Sequence, residues 1–346
     1  MTSIFLMNLE REKMKIAIIS VTVNGDNVSN TLKAQLEKSN YEVFIYAKSK
    51  VKELSLNKIC KEAMEKFDGI IFISSTGIAV RGIAPFIKSK VNDPAIVVLD
   101  NSLKYAISLL SGHLGGANEL TKIVSEITKA QPIITTATDN LNIKAPDMIA
   151  KDNNLIIDNL KNAKDIAGLL VDRKKVAFID EKNLIKIPKG YVANKNDDNI
   201  EGLIIVTNKL HIKENVKTLK LIRKDIILGI GCKKDFPAEK MEETVLKVLE
   251  ENNIDLRAVK AIGTVEIKAE EKAILSLKEK LNCALNIFSI EEIKNIDYKF
   301  KGSDFVRKTI GIGSVCEPSV ELSGGKIIKD KMKLNGMTLS IGVIEN

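Results

Sequence analysis

GIIFISSTGIAVRGIAP (Gly69–Pro85), AIVVLD (Ala95–Asp100), SLLSGHLGGAN (Ser108–Asn118) and PIITTATD (Pro132–Asp139) stand close together in one stretch of the chain. The apolar runs GIIFIS (Gly69–Ser74), AIVVLD and PIITT (Pro132–Thr136) read as buried strands, because short apolar runs bounded by turn residues are the mark of a covered sheet. They lead into turns rich in small and hydroxyl-bearing residues: STGIAVRGIAP (Ser75–Pro85), SLLSGHLGGAN and TATD (Thr136–Asp139). Ligands of open α/β sheets sit where the carboxyl ends of strands meet such loops. The stretch therefore predicts one binding edge built from all three turns.

Outward from this centre, KIAIIS (Lys15–Ser20) and YEVFIY (Tyr41–Tyr46) add two strands, with helical patterns at Val28–Lys38 and Ala117–Ala130. This alternation predicts a parallel sheet covered on both faces, spanning residues 14–142. A polar region with two clear strands, VAFID (Val176–Asp180) and GLIIVT (Gly202–Thr207), predicts a smaller middle domain at 143–222, ending in a Lys-rich linker from His211 to Lys224. A third domain, 225–346, opens with IILGIGC (Ile226–Cys232). Helices at Ala238–Glu251 and Ala269–Leu281 alternate there with strands at Ala258–Ile267 and Ala284–Phe288. Its last strands, Lys326–Leu334 and Met337–Ile344, flank Asn335-Gly336, the strongest short hairpin signal. The expected class is α/β: an N-terminal parallel-sheet domain, a small middle α/β domain and a C-terminal α/β domain ending in a β-hairpin.

A chain of 346 residues exceeds one typical core, which agrees with several domains. With 45% hydrophobic and 28% charged residues it is a soluble globular composition. Aromatics make up 4% and Trp is absent, so base stacking is not an available binding mode and no nucleic-acid partner is expected. The net charge of +8 rests on Lys spread along the chain; this is a solvated surface whose field favours an anionic small molecule. Cys60, Cys232, Cys283 and Cys316 form no paired spacing, so reduced thiols and a cytoplasmic location are expected. No run approaches the roughly eighteen apolar residues of a membrane span. The first thirteen residues, MTSIFLMNLEREK, lack the order of a signal peptide, and Met14 is a plausible natural start.

His113, one of two histidines, lies in a glycine-rich turn, and an ordinary histidine pKa of about 6.5 suits proton transfer near neutrality. The flanking Gly112, Gly115 and Gly116 would leave backbone N–H groups accessible and open the following helix towards negative charge. The alternative is a histidine bracing its own turn. Thr76, Gly77 and Arg81 offer hydroxyl, N–H and guanidinium to a carboxylate, or else form an ordinary strand-to-helix turn. Thr135, Thr136, Thr138 and Asp139 have groups to position water, with Asp139 as an alternative base or as a helix cap. Ser111 precedes Gly112 and His113 without a nucleophile-elbow pattern, so direct attack by water is preferred. Cys232 and Cys316 sit in turns where a lowered thiol pKa or a buried structural thiol are the two readings. Glu317 is either an acid–base group or a partner of a helix dipole. Two histidines do not make a zinc site, and Gly229-Ile230-Gly231 with Lys234 lacks the third glycine of a dinucleotide fingerprint. Neither a metal of the protein's own nor a nucleotide cofactor is expected.

TGIAVRGIAPFIKSKVNDPAIVVLD (Thr76–Asp100), SLLSGHLGGAN and PIITTATD resemble, in order and spacing, the N-terminal signature of the CbiG-type cobalt-precorrin-5A hydrolases of the anaerobic cobalamin pathway. GIGCKKD (Gly229–Asp235), FVRKTIGIGSVCEPS (Phe305–Ser319) and the closing hairpin resemble the C-terminal domain of that family. The resemblance covers nearly the whole chain and is weakest between about Lys144 and Asp225. It implies a cytosolic hydrolase that opens the δ-lactone of cobalt-precorrin-5A and releases acetaldehyde to give cobalt-precorrin-5B. The cobalt would arrive with the substrate, leaving the protein without a cofactor. His113 and Asp139 are the expected catalytic residues. Thr76, Gly77, Arg81, Ser111, Gly112, Gly115, Gly116, Asn118, Thr135, Thr136, Thr138, Cys232, Arg307, Ser314 and Glu317 are the expected substrate-binding set. The expected partners are the cobalt-tetrapyrrole and other enzymes of the pathway. The competing readings are a non-catalytic carrier of the same intermediate and a tetrapyrrole methyltransferase, for which no glycine-rich cofactor loop stands out.

Overall fold

The structure, a computed structural model, describes residues 13–89, 92–193 and 199–345. The expectation drawn from the first thirteen residues rests on a segment that, up to residue 12, lies outside them. The chain divides into two compact units, residues 1–148 and 149–346.

Six strands form the sheet of the first unit: β1 (Lys15–Ser20), β2 (Glu42–Tyr46), β3 (Gly69–Ile73), β4 (Ala95–Leu99), β5 (Tyr105–Leu110) and β6 (Gln131–Ile133). Their order is β2-β1-β3-β4-β5-β6. Alternate residues of β1, β3 and β4 enter two cores. Ile16, Ile18, Ile71 and Val97 meet Leu32 and Leu36 on one face, and Ile19, Phe72 and Val98 meet Ile59, Ala63 and Ile83 on the other. Burying each such side chain contributes about 2 kcal/mol, and the double coverage explains why these strands are apolar throughout.

The sheet differs from the expected all-parallel one at β5. β1 to β4 are parallel, but β5 runs antiparallel to β4, with Leu110 opposite Ile96 and Ala106 opposite Leu99. β6 is parallel to β5. The chain therefore leaves β5 and β6 at the edge where β3 and β4 begin, whereas Ser75–Pro85 leaves β3 at the edge where they end. The single binding edge predicted from sequence is two opposite edges, and Thr76, Gly77 and Arg81 stand away from His113. β6 is also a short edge strand with Gln131 and Pro132 exposed, not a buried one. An edge position tolerates the missing N–H of Pro132.

The second unit has two sheets. β7 (Ile156–Ile157), β8 (Lys175–Asp180), β9 (Ile200–Thr207) and β10 (Lys217–Ile222) lie in the order β7-β10-β9-β8. The expected Lys-rich linker thus contains a strand, β10, which is parallel to β9 and antiparallel to β7. β11 (Ile226–Cys232), β12 (Val259–Val265), β13 (Ala284–Phe288), β14 (Lys326–Leu334) and β15 (Met337–Val343) form a sheet ordered β13-β12-β11-β15-β14. The closing hairpin is present, its turn residues Asn335 and Gly336 having φ of 48° and 104°. The glycines of this sheet serve packing: a Cβ on Gly229 would lie 1.8 Å from Cys316 O, and one on Gly342 2.2 Å from Val320 Cγ1. The helix Cys316–Leu322 rests directly on these bare backbones. Among the described residues no helix is long and apolar enough to cross a membrane.

β10 carries a lysine into the interior of the second unit. Lys220 is 6% exposed, and its Nζ donates to Asp255 Oδ2 at 2.9 Å and to Leu210 O at 2.9 Å. Arg257 donates to both oxygens of Asp255 and reaches Asp158 at 2.5 Å. Burial pushes the Asp255 carboxyl up, but hydrogen bonds from Arg257 and Lys220 outweigh it and hold the pKa at about 2. Because the folded value lies below the unfolded one of about 3.9, this stabilisation is present above pH 4 and is lost as pH falls towards 2. Asp255→Ala, which leaves Lys220 buried without its main counter-charge, is expected to lower unfolding free energy by about 3 kcal/mol in urea titration. The loss of stability between about pH 4 and pH 2 should be shallower in this variant than in wild type.

Candidate functional site

The edge at which β5 and β6 end brings His113, Asp139 and Asp147 together. Ser111 to Gly116 form a turn closed by its own backbone: Gly116 N–H donates to His113 O, Ala117 N–H to Ser111 O and Asn118 N–H to Gly112 O. Gly116 has φ of 87°, a left-handed conformation that suits glycine, and begins the helix Ala117–Thr128. A Cβ on Gly112 would lie 2.8 Å from Asn118 Oδ1, so the turn passes against Asn118 only without one. The expectation of an accessible N–H is thereby corrected at Gly116, whose N–H, like those of Ala117 and Asn118, is consumed in holding the turn shut.

Asp139, in the short helix Ala137–Asn140, is the hub. Its Oδ2 accepts from Thr136 Oγ1 at 2.5 Å and from Asn118 Nδ2 at 3.0 Å, and lies 2.9 Å from His113 Nε2. Asn118, only 6% exposed, also donates to Thr136 Oγ1 and accepts from Ser108 Oγ at 2.7 Å, so its amide is spent inside the protein and positions Asp139. Thr138 Oγ1 lies 3.1 Å from His113 Nε2. The other ring nitrogen, Nδ1, faces Asp147 Oδ1 at 3.7 Å, an ion-pair distance rather than a tight hydrogen bond. His113 is thus bracketed by two carboxylates.

Electrostatics follows from that bracket. Asp147 is the largest influence raising the His113 pKa; burial opposes it, and Asp139 adds to it. At Asp139 burial pushes the carboxyl up, but hydrogen bonds from Thr136 and His113 and the histidine's charge bring it below the ordinary carboxylate value. His113 Nε2 and Asp139 Oδ2 stand within hydrogen-bond distance next to solvent, since the Asp139 side chain is 34% exposed. That arrangement can accept a proton from water and return it to a departing oxygen.

The other expected residues fall in different places. Arg81 is exposed and its Nη1 donates to Gly77 O one turn back, while Thr76 is exposed at the opposite sheet edge. Thr135 is exposed beside the cluster. Ser111 has φ of 59°, and its Oγ is buried without a hydrogen-bond partner among the described residues, so no base activates it. In the second unit, Glu317 occupies the first turn of Cys316–Leu322, accepts from Ser314 Oγ at 3.0 Å and pairs with Lys331. Arg307 is exposed and lies 3.5 Å from Asp297. Burial pushes the Cys232 thiol up to about 11 and raises Cys316 as well, which removes the lowered-thiol reading for both. Asp147 was missed from sequence. Its only local signal is Pro146-Asp147 at the start of the helix Pro146–Asp152, a pattern shared by many helix starts.

With two histidines in the chain, His113 is readily followed by proton NMR. Its titration midpoint is expected above 6.5, and Asp147→Asn should lower it more than Asp139→Asn. The converse order would mean that Asp139, not Asp147, sets the histidine's charge.

Three family models match in succession: cobalamin synthesis G N-terminal at residues 58–139, cobalamin biosynthesis central region at 144–222 and cobalamin synthesis G C-terminus at 226–342. The cobalt-precorrin-5A hydrolase of Salmonella typhimurium is 33% identical over 304 residues, covering 82% of this chain and 84% of that protein. The cobalt-precorrin-5A hydrolase of Priestia megaterium is 29% identical over 354 residues, covering 95% and 94%. A solved structure, described as a cobalamin biosynthesis protein G homologue from Sulfolobus solfataricus, is 24% identical and covers 95% of this chain and 97% of its own, with a TM-score of 0.42. Given a relative one-third identical across most of both chains, this chain belongs to the cobalt-precorrin-5A hydrolase family.

Proposed function

We propose that this protein opens the δ-lactone of cobalt-precorrin-5A with water and releases acetaldehyde, giving cobalt-precorrin-5B, and that His113 with Asp139 moves the protons. The observation that carries the reading is the His113 bracket: an imidazole 2.9 Å from Asp139 on one side and facing Asp147 on the other, beside solvent. Lactone hydrolysis requires a group that takes a proton from water as its oxygen attacks the acyl carbon, and that gives it to the alkoxide as the acyl–oxygen bond breaks. A histidine held by a carboxylate behind it does both, and Asp147 has that place.

The second stage breaks a carbon–carbon bond. The freed hydroxyl returns its proton to the His113–Asp139 pair, its oxygen becomes the carbonyl of acetaldehyde, and the bonding electrons pass to the conjugated macrocycle. The cobalt is part of the substrate, and no further cofactor is invoked. Thr136, Thr138 and Asn118 fix the two proton carriers in register rather than touching the reacting carbon.

The test is acetaldehyde formation when purified protein is mixed anaerobically with cobalt-precorrin-5A. Wild type should release it, and His113→Ala should lose at least about a hundredfold in kcat. Release by both forms would move the base elsewhere; release by neither, with the tetrapyrrole still bound, would favour a carrier. If neutral His113 is the base, kcat rises with pH through its raised pKa. Asp147→Asn, by lowering that pKa, should then shift the acidic limb to lower pH.

A further inference from the structure

One feature left unused by this chemistry is a cavity of about 650 Å³ in the second unit. Its size falls within the range of small-molecule sites. It is walled by the end of β11, the strands of the closing hairpin, and the segment from Ser303 to Val315. The walls combine two chemistries. Val265, Ile310, Val315, Leu334 and Met337 make an apolar interior, and Ile267 at the lining is 53% exposed, an aliphatic side chain held towards water. Around them stand five lysines, Lys233, Lys234, Lys268, Lys331 and Lys333, and among the described residues no acidic one lines the cavity.

The lysines are not equivalent. Lys268 is bonded to Glu271, and Lys331 is held to Ser314, Glu317 and the carbonyl of Lys301. These two are fixed in place by partners behind the wall. Ser314, 2% exposed, ties the Lys331 ammonium to the floor and lines the cavity itself. Lys233, Lys234 and Lys333 are exposed and make no ion pair among the described residues. Each of the three therefore presents its charge to solvent beside an apolar hollow, with no fixed counter-charge. A ligand with an apolar body and several carboxylate arms would supply it.

We propose that this cavity binds the tetrapyrrole: the ring lies against the apolar wall and the acetate and propionate arms meet Lys233, Lys234 and Lys333. The identity of the ligand rests on the proposed function. The binding chemistry rests only on the cavity. Lys331 and Ser314 position the inner wall, which gives Ser314 and Glu317 of the expected substrate-binding set a role in shaping the site.

The absence of Trp makes a direct assay possible. In the full chain carrying Val306→Trp at the cavity wall, a cobalt corrin with free carboxylate arms should quench the new fluorescence saturably. The same corrin with amidated arms should bind at least about tenfold more weakly, and raising salt should weaken only the acid form. Adding Lys233→Glu and Lys333→Glu, both exposed and safe for folding, should raise the Kd of the acid corrin at least tenfold. An unchanged Kd in that variant, or equal binding of acid and amide forms, overturns the proposal. Acetaldehyde release separates the two readings. A protein that releases it without quenching retains the reaction and loses this site, whereas quenching that obeys the charge rule without release retains the site and loses the reaction.

Discussion

A carboxylate closing a tight turn decides where the chemistry of the first unit stands. Asp100 Oδ1 accepts the Tyr105 N–H at 2.6 Å, and Oδ2 accepts the Ser102 N–H at 3.1 Å and the Ser102 hydroxyl. Backbone bonds from Asp100 N–H to Tyr105 O and from Leu103 N–H to Asp100 O finish the reversal. Burial acts against the charge of Asp100, but these bonds outweigh it and lower its pKa. A parallel connection would need a crossover of about a dozen residues or more, and this turn is far too short. β5 must therefore run back along β4, and β6 beside it inherits the same direction. His113 and Asp139 meet because both follow strands reversed by this turn.

The resulting cluster is held from behind and open in front. Asn118 is buried, has every polar atom of its amide engaged, and fixes the Asp139 carboxylate before any ligand arrives. Asp147 does the same for the imidazole through Nδ1. Preorganisation of this kind places the reorganisation cost in folding rather than in the reaction. It also explains the glycines: the turn bearing His113 runs too near Asn118 for a side chain at Gly112.

Strands covered on both faces were legible in the sequence, because β1, β3, β4 and β11 are unbroken apolar runs, and Asn335-Gly336 announced the last hairpin. β5 was not. Its residues are mostly half-buried, and Ser108 interrupts the apolar pattern, so its end was read as part of a loop. The signal that would have found it is Asp100-Asn101-Ser102, a turn former placed too close to the next apolar run for a crossover. β10 was disguised by Lys217 and Lys220, and the burial of Lys220 makes sense only with Asp255, which lies far along the chain. At the site, His113, Thr136 and Asp139 were readable from turn chemistry. Asp147 was not, because proximity across the fold is what gives it a role. Arg81 was misplaced by the same oversight that hid β5.

The His113 cluster and the lysine-fringed cavity differ in the charge they present. The His113 cluster contributes two carboxylates, Asp139 and Asp147, to its immediate surroundings, and Asp139 is held ionised. Such a cluster suits moving a proton but repels the acetate and propionate arms of a tetrapyrrole. Nor can it supply much contact area, since most of its polar groups are bonded to each other. Binding energy gained on non-reacting parts of a large substrate is what holds the reacting centre in place. For a ring fringed with carboxylates, that energy has to come from cations around an apolar surface. Under the proposal Lys233, Lys234 and Lys333 provide them, and among the described residues no acidic one lines that cavity.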